Sequence, residues 1–189
     1  SLRRSLDLVR SRPMLMMFAF YFLTSFTTAS LMSFAIVAFG DLHGASQEDG
    51  GKILTAYFGA MSIGVLVGGV IADRTKRHGL VTGIVIGASA VTILLAAFSA
   101  LPLLVVAISI ALGGLLYGIT TPSRDLLVRA ATPPGFIGIA FGFTSTGLGI
   151  GGAVGPVVCG WTMDAGRPDW TFVLIAAVTA LAVFTVFGV

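Results

Sequence analysis

Apolar residues run in six long blocks along the chain, and polar residues collect in the short gaps between them. The clearest unit surrounds the stretch Gly68 to Gly79. On its left, Ile53 to Ala72 is 20 residues without a charge, and on its right Leu80 to Leu101 is another 22. At 1.5 Å of rise per residue, each block is long enough to cross a hydrocarbon core of ~30 Å. Asp73, Arg74, Lys76, Arg77 and His78 lie between them and predict a tight basic turn. Registering the rest of the chain on that turn predicts spans over about 14–39, 53–72, 80–100, 103–121, 136–163 and 170–189. Gly40 to Lys52 reads as a loop, and Leu101-Pro102 as a very short turn. A loop carrying Arg124, Asp125 and Arg129 leads to Pro133-Pro134-Gly135, which stops one helix and starts another. The expected fold is an all-α membrane protein, one six-helix transmembrane domain over residues 1–189.

Composition removes the soluble alternatives. The chain is 56% hydrophobic and 10% charged, against about 25% charged residues in an ordinary soluble domain. A net charge of +3 would elsewhere suggest nucleic acid, but here the basic residues sort by loop. Arg3, Arg4, Arg10 and Arg12 precede the first span, Arg74, Lys76 and Arg77 follow the second, and Arg124 and Arg129 follow the fourth. Only Lys52 and Arg167 fall on the other side, a split of nine to two. The positive-inside rule then puts both termini in the cytoplasm. The expectation is an integral protein of a bacterial inner membrane, with the lipid bilayer as partner and no nucleic acid. The single cysteine, Cys159, lies in an apolar run and predicts packing, with no disulfide framework and no metal cluster. The chain starts at Ser1 and ends at Val189 flush with an apolar run, which predicts a piece of a longer chain.

All eight acidic residues and both histidines fall in predicted loops or at span ends, so no ionisable group is expected deep in the bilayer. Such groups mark proton relays and ion pathways, so a coupling carboxylate is expected outside these residues. Ser145 has no histidine within a span to activate it, which argues against a rhomboid-type serine protease and against enzyme activity. Glycine pairs spaced by four recur at Gly64/Gly68, Gly83/Gly87, Gly114/Gly118, Gly138/Gly142 and Gly151/Gly155. They predict close helix packing, because membrane helices associate over small residues. The fifth span is denser still. Gly151, Gly155 and Gly160 surround Pro156, and proline removes a backbone hydrogen bond and bends a helix. This segment is either a kinked packing helix or a conformational hinge.

Six spans with both ends inside, together with Gly69, Asp73, Arg74 and Arg77, resemble the C-terminal half of a major facilitator superfamily transporter. That family carries a G-x-x-x-D-R-x-G-R-R loop between the second and third spans of each half. Here Lys76 stands where glycine is usual and His78 where a basic residue is usual. The segment Gly151 to Gly160 is similar to the glycine-proline motif of the family's antiporters. The resemblance implies a secondary active transporter of a small solute working by alternating access, with no cofactor. This chain would supply half of the cavity, an N-terminal six-helix half of the same protein would supply the rest, and export or antiport is slightly favoured.

The resemblance also implies that the first and fourth spans line the cavity. Tyr21, Ser25 and Thr28 share one helical face, with Thr24 beside them, and Ser109, Gly113, Tyr117 and Thr120 share another. These eight residues are the expected cavity lining, the alternative for each hydroxyl being a bond back to its own helix. Gly69, Asp73, Arg74, Arg77, Arg124, Asp125 and Arg129 are the expected cytoplasmic gate, with Asp73 paired to Arg129 as a latch. Hydroxyls and aromatic rings suit a neutral, amphipathic or aromatic solute. Two other architectures stay open: a self-contained six-span protein acting as a homodimeric transporter or channel, and a non-transporting scaffold.

Overall fold

Lipid offers backbone groups no hydrogen-bond partner, so each apolar block must close its own bonds as a helix. The computed structural model describes residues 2–187, with side chains from residue 5 onward. Residues 188–189 of the last predicted span and the side chains of Arg3 and Arg4 lie outside the described residues. The helices are α1 (Leu2–Val9), α2 (Arg12–His43), α3 (Gln47–Arg74), α4 (His78–Leu95), α5 (Leu103–Ala130), α6 (Ile137–Asp164) and α7 (Pro168–Val186). The six from α2 to α7 are long and apolar enough to cross a membrane.

Three predicted spans, the first, second and fourth, lengthen at the expense of the loops. The expected loop from Gly40 to Lys52 shrinks to three residues, because α2 runs on to a left-handed Gly44 and α3 starts at once behind Ser46. The Ser46 hydroxyl accepts from the Asp49 amide at 3.1 Å and satisfies one free donor of the first turn. Gly69, Asp73 and Arg74 belong to the last turns of α3 rather than to a loop. The largest correction concerns Arg124, Asp125 and Arg129. They are helical residues of α5, which passes through Pro122 and continues to Ala130. Gly135, at φ 86°, completes the expected stop before α6. The third span ends early, at Leu95, and the fifth keeps its expected length.

Helices pack in the pairs α3 with α5, α2 with α6, α4 with both α5 and α7, and α2 with α7. Glycine makes the first two pairings close. On α3, Gly64 faces the Leu115 carbonyl and Gly68 the Ile119 carbonyl, while Gly114 and Gly118 of α5 face the Tyr57 and Met61 carbonyls. Backbone therefore lies on backbone along that crossing. Gly147, Gly151 and Gly155 of α6 approach the Phe18, Phe22 and Phe26 carbonyls of α2 in the same way. Gly138 and Gly142 differ: an added Cβ at either would meet nothing within 4 Å among the described residues.

Side chains fill two layers. At the end away from the basic turn, Phe39 stacks on Phe172 at 5.1 Å amid Tyr57, Ile93, Ile110 and Cys159. At the basic end, Met14, Met17, Phe20, Ile86, Val128 and Val186 form the second cluster. Hydroxyls tie the layers across helices, with Thr27 to Thr179 at 2.8 Å and Ser89 to the Gly113 carbonyl at 3.0 Å. Tyr57 is fully buried and its hydroxyl has no partner among the described residues. A buried unpaired hydroxyl costs about 1–3 kcal/mol. Tyr57→Phe should therefore raise the thermal midpoint in detergent, by roughly 1 kcal/mol of stability. A lower midpoint would show that the hydroxyl is bonded.

Candidate functional site

α2 and α5 meet at the basic end through polar side chains rather than close backbone packing. The Tyr21 hydroxyl donates to Asp125 Oδ1 at 2.7 Å, and Arg124 Nε donates to the same oxygen at 3.0 Å. The Arg124 guanidinium also covers the Tyr21 ring, 4.3 Å from its centroid. One turn deeper, the Tyr117 hydroxyl donates to the Thr24 carbonyl at 3.2 Å. Two tyrosines, an arginine and a carboxylate thus form one strut between the two helices.

The position of Arg124 is unusual for a cation. Its side chain is only 14% exposed, while Asp125 is 43% exposed. At 1.5 Å per residue α5 is about 42 Å long, and Arg124 sits about 9 Å before its end, level with the edge of a ~30 Å core. A guanidinium there loses hydration, and one carboxylate plus a π face replace it. The sequence predicts no ionisable group deep in the bilayer and a loop at Arg124. The structure places it inside a helix, on the face of Tyr117 and Thr120. The spacing carried that signal, since Arg124 follows Tyr117 by seven residues and Thr120 by four.

Of the two expected stripes, Tyr21, Thr24 and Tyr117 come together in the strut. The others turn elsewhere. The Ser25 hydroxyl donates to the Leu148 carbonyl of α6 at 2.7 Å. Gly113 lies against α4, where an added Cβ would meet Thr92 Oγ1 at 2.6 Å. Thr24, Thr28 and Thr120 donate back to their own helices, to the carbonyls of Phe20, Thr24 and Tyr117 at 2.8, 3.1 and 2.7 Å. Ser109 is buried.

Beside the strut, a cleft of about 480 Å³ opens between α3, α5 and α6, lined by Gly69, Asp73, Pro122, Asp125, Arg129 and Phe141. It gathers four of the expected gate residues. Asp73 and Arg129 face this common space, but no ion pair joins them among the described residues. The ion pair that forms is Arg124 with Asp125. Arg74 and Arg77 are exposed, Arg77 as the residue that opens α4. On α6 the helix is unbroken through Pro156, and Gly151 and Gly155 are packing positions against Phe22 and Phe26. An added Cβ at Gly160 would come within 3.4 Å of the Phe34 ring.

Two helices keep small and polar residues exposed. On α6, Gly138, Gly142, Ser145 and Gly149 follow one another at helical spacing, and on α3 Thr55, Gly59 and Ser62 do the same. No curated protein matches the chain. The family model of the Major Facilitator Superfamily matches residues 17–189, from the first turns of α2 through the last residue. Six apolar helices, glycine-built crossings and a match across nearly the whole chain agree, and the chain belongs to the Major Facilitator Superfamily of membrane transporters.

Proposed function

We propose that this chain is the C-terminal half of a secondary active transporter that moves a small solute by alternating access. α2 and α5 form its side of the cavity, with Tyr21, Thr24, Thr28, Ser109, Tyr117 and Thr120 near it, and the strut closes it at the cytoplasmic end. The observation that carries this reading is the pair of exposed small-residue stripes on α3 and α6. A lipid-facing helix gains nothing from glycine, whereas a helix that meets another bundle does. A six-helix N-terminal half seated on both stripes would close over the α2–α5 side of the bundle. The nine-to-two distribution of basic residues supports cytoplasmic termini. In this arrangement Gly69, Asp73, Arg74, Arg77, Arg124, Asp125 and Arg129 frame the cytoplasmic gate. Gly151, Gly155, Pro156 and Gly160 let α6 bend as the halves rock. Export or antiport fits the glycine-proline segment.

The architecture is tested by the mass of the native polypeptide, detected with an antibody to residues 40–52. A band about twice the 19.5 kDa of this chain supports two fused halves, whereas one at 19.5 kDa favours a homodimer. Transport is tested with the full-length protein in proteoliposomes loaded with an extract of the source cells. One class of solute should leave faster than from protein-free vesicles, and Pro156→Ala should slow that flux without lowering the thermal midpoint. If no solute leaves faster than through bare lipid, the transporter reading of this chain is lost.

A further inference from the structure

At the end of the bundle opposite the basic turn, α6 and α7 enclose an open groove of about 430 Å³. Val158, Trp161, Thr162, Arg167, Trp170 and Leu174 line it. Trp161 is 68% exposed and Trp170 53% exposed, the largest apolar surfaces at this end of α6 and α7. The polar floor is already satisfied, since the Thr162 hydroxyl donates to the Cys159 carbonyl at 2.7 Å and bonds with Thr171 at 2.6 Å. What remains is an apolar trough with a charged rim.

The surface of α6 shows which side of the helix this trough occupies. Its small stripe runs through Gly138, Gly142, Ser145 and Gly149, whereas a separate ridge of exposed bulky residues runs through Ile139, Ile150, Val154, Val157 and Trp161. Bulky apolar side chains suit acyl chains, and indoles suit the boundary between hydrocarbon and headgroups. The trough continues that ridge, away from the small stripe.

The rim selects among headgroups. Arg167 donates to both oxygens of Asp169, at 3.3 and 3.2 Å, and its guanidinium lies 5.0 Å from the centre of the Trp170 ring. Asp164 stands exposed in the same connection. One cation beside two carboxylates repels a net anion. It complements a headgroup that carries both a phosphate and an N–H cation. We propose that this groove is a binding site for a zwitterionic aminophospholipid of the phosphatidylethanolamine type. The phosphate accepts from Arg167, the primary ammonium donates to Asp169 or Asp164, and an acyl chain lies along Val158, Trp161 and Leu174. A choline headgroup has no N–H to donate and fits only half of the site.

The two tryptophans of this chain both line the groove, so their fluorescence reports its occupant. The full-length protein is reconstituted in bilayers containing increasing fractions of brominated phosphatidylethanolamine, phosphatidylcholine or phosphatidylglycerol. The signal of a Trp161→Phe, Trp170→Phe double variant is subtracted to isolate the groove indoles. Brominated phosphatidylethanolamine should half-quench them at about one-fifth of the fraction that phosphatidylcholine requires, as expected for one added hydrogen bond of ordinary net strength at an exposed rim. Asp164→Asn combined with Asp169→Asn should bring the two lipids together, whereas Arg167→Gln, which removes the donor to the phosphate that both share, should raise the fraction each requires. Equal quenching by all three lipids in the wild-type protein, a preference for phosphatidylglycerol, or no quenching at all would each overturn the proposal. The wild-type comparison decides even where a variant does not fold.

Discussion

Replacing Gly118 by valine is expected to separate α3 from α5 and to abolish the folded, monodisperse protein in detergent. An added Cβ at Gly118 would press on the Met61 carbonyl and lie 3.0 Å from the Gly64 Cα. Both neighbours are backbone, so neither can turn aside as a side chain would. Overpacking of a core usually costs about 1–3 kcal/mol, and a backbone-on-backbone clash belongs at or above the top of that range. The same crossing is built from Gly64, Gly68 and Gly114, so relief at one point opens contacts at the others. Gly87→Ala is the control, because an added Cβ there meets only the Val183 side chain, at an ordinary 3.6 Å. Size-exclusion profiles and thermal midpoints should separate the two variants clearly. Equal midpoints would show that α3 and α5 do not cross at these glycines.

The second large effect is expected at Asp125. Removing its charge, as in Asp125→Asn, leaves the Arg124 guanidinium with the Tyr21 ring and no ionised partner. Breaking a fully buried pair costs about 3–5 kcal/mol. Asp125 is 43% exposed, so solvent screens the pair and about 1–2 kcal/mol is the better expectation. Tyr21→Phe removes one hydrogen bond and should cost about 1 kcal/mol. Because the strut joins α2 to α5, either change should free the end of α5 and widen the neighbouring cleft. A cysteine placed at Gly69 reads this directly, since Cys159 is buried and contributes little background labelling. A shift of 1.4 kcal/mol is about tenfold in an opening equilibrium, so Asp125→Asn should label several-fold faster than wild type and Tyr21→Phe less so. Arg124→Leu combined with Asp125→Leu removes both charges and should recover part of the lost thermal stability. Unchanged labelling in Asp125→Asn would leave the strut with a packing role alone.

Much of the fold was legible because its determinants are local. A block of 20 apolar residues must be a helix in lipid whatever surrounds it. Pro133-Pro134-Gly135 ends a helix by its own stereochemistry. Gly64, Gly68, Gly114 and Gly118 announced close packing through their spacing, and the structure puts all four on one crossing. Helix ends were less legible. Polar residues at Gly40 to Lys52 and at Arg124 to Arg129 looked like loop, yet long helices extend beyond the hydrocarbon core and carry charge on their last turns. Pro122 costs α5 one backbone bond, and packing against α3 along its length keeps the helix continuous.

The site was legible only in part, for a reason specific to membranes. In a soluble bundle the buried side of a helix shows as an apolar stripe, but lipid is as apolar as a protein core, so the pattern gives no such direction. Ser25 and Gly113 shared faces with Tyr21 and Tyr117 by spacing, yet each meets a neighbouring helix instead. The sequence by itself determined the number and order of the spans, the segregation of charge and membership of the superfamily, because hydrophobicity, charge and glycine spacing act along one chain. Only the tertiary structure decided how each helix is rotated. That rotation turned Arg124 inward onto Tyr21, joined Asp125 to both, and left the α6–α7 groove open, since interhelical contacts alone fix which side of a uniformly apolar helix faces its neighbour.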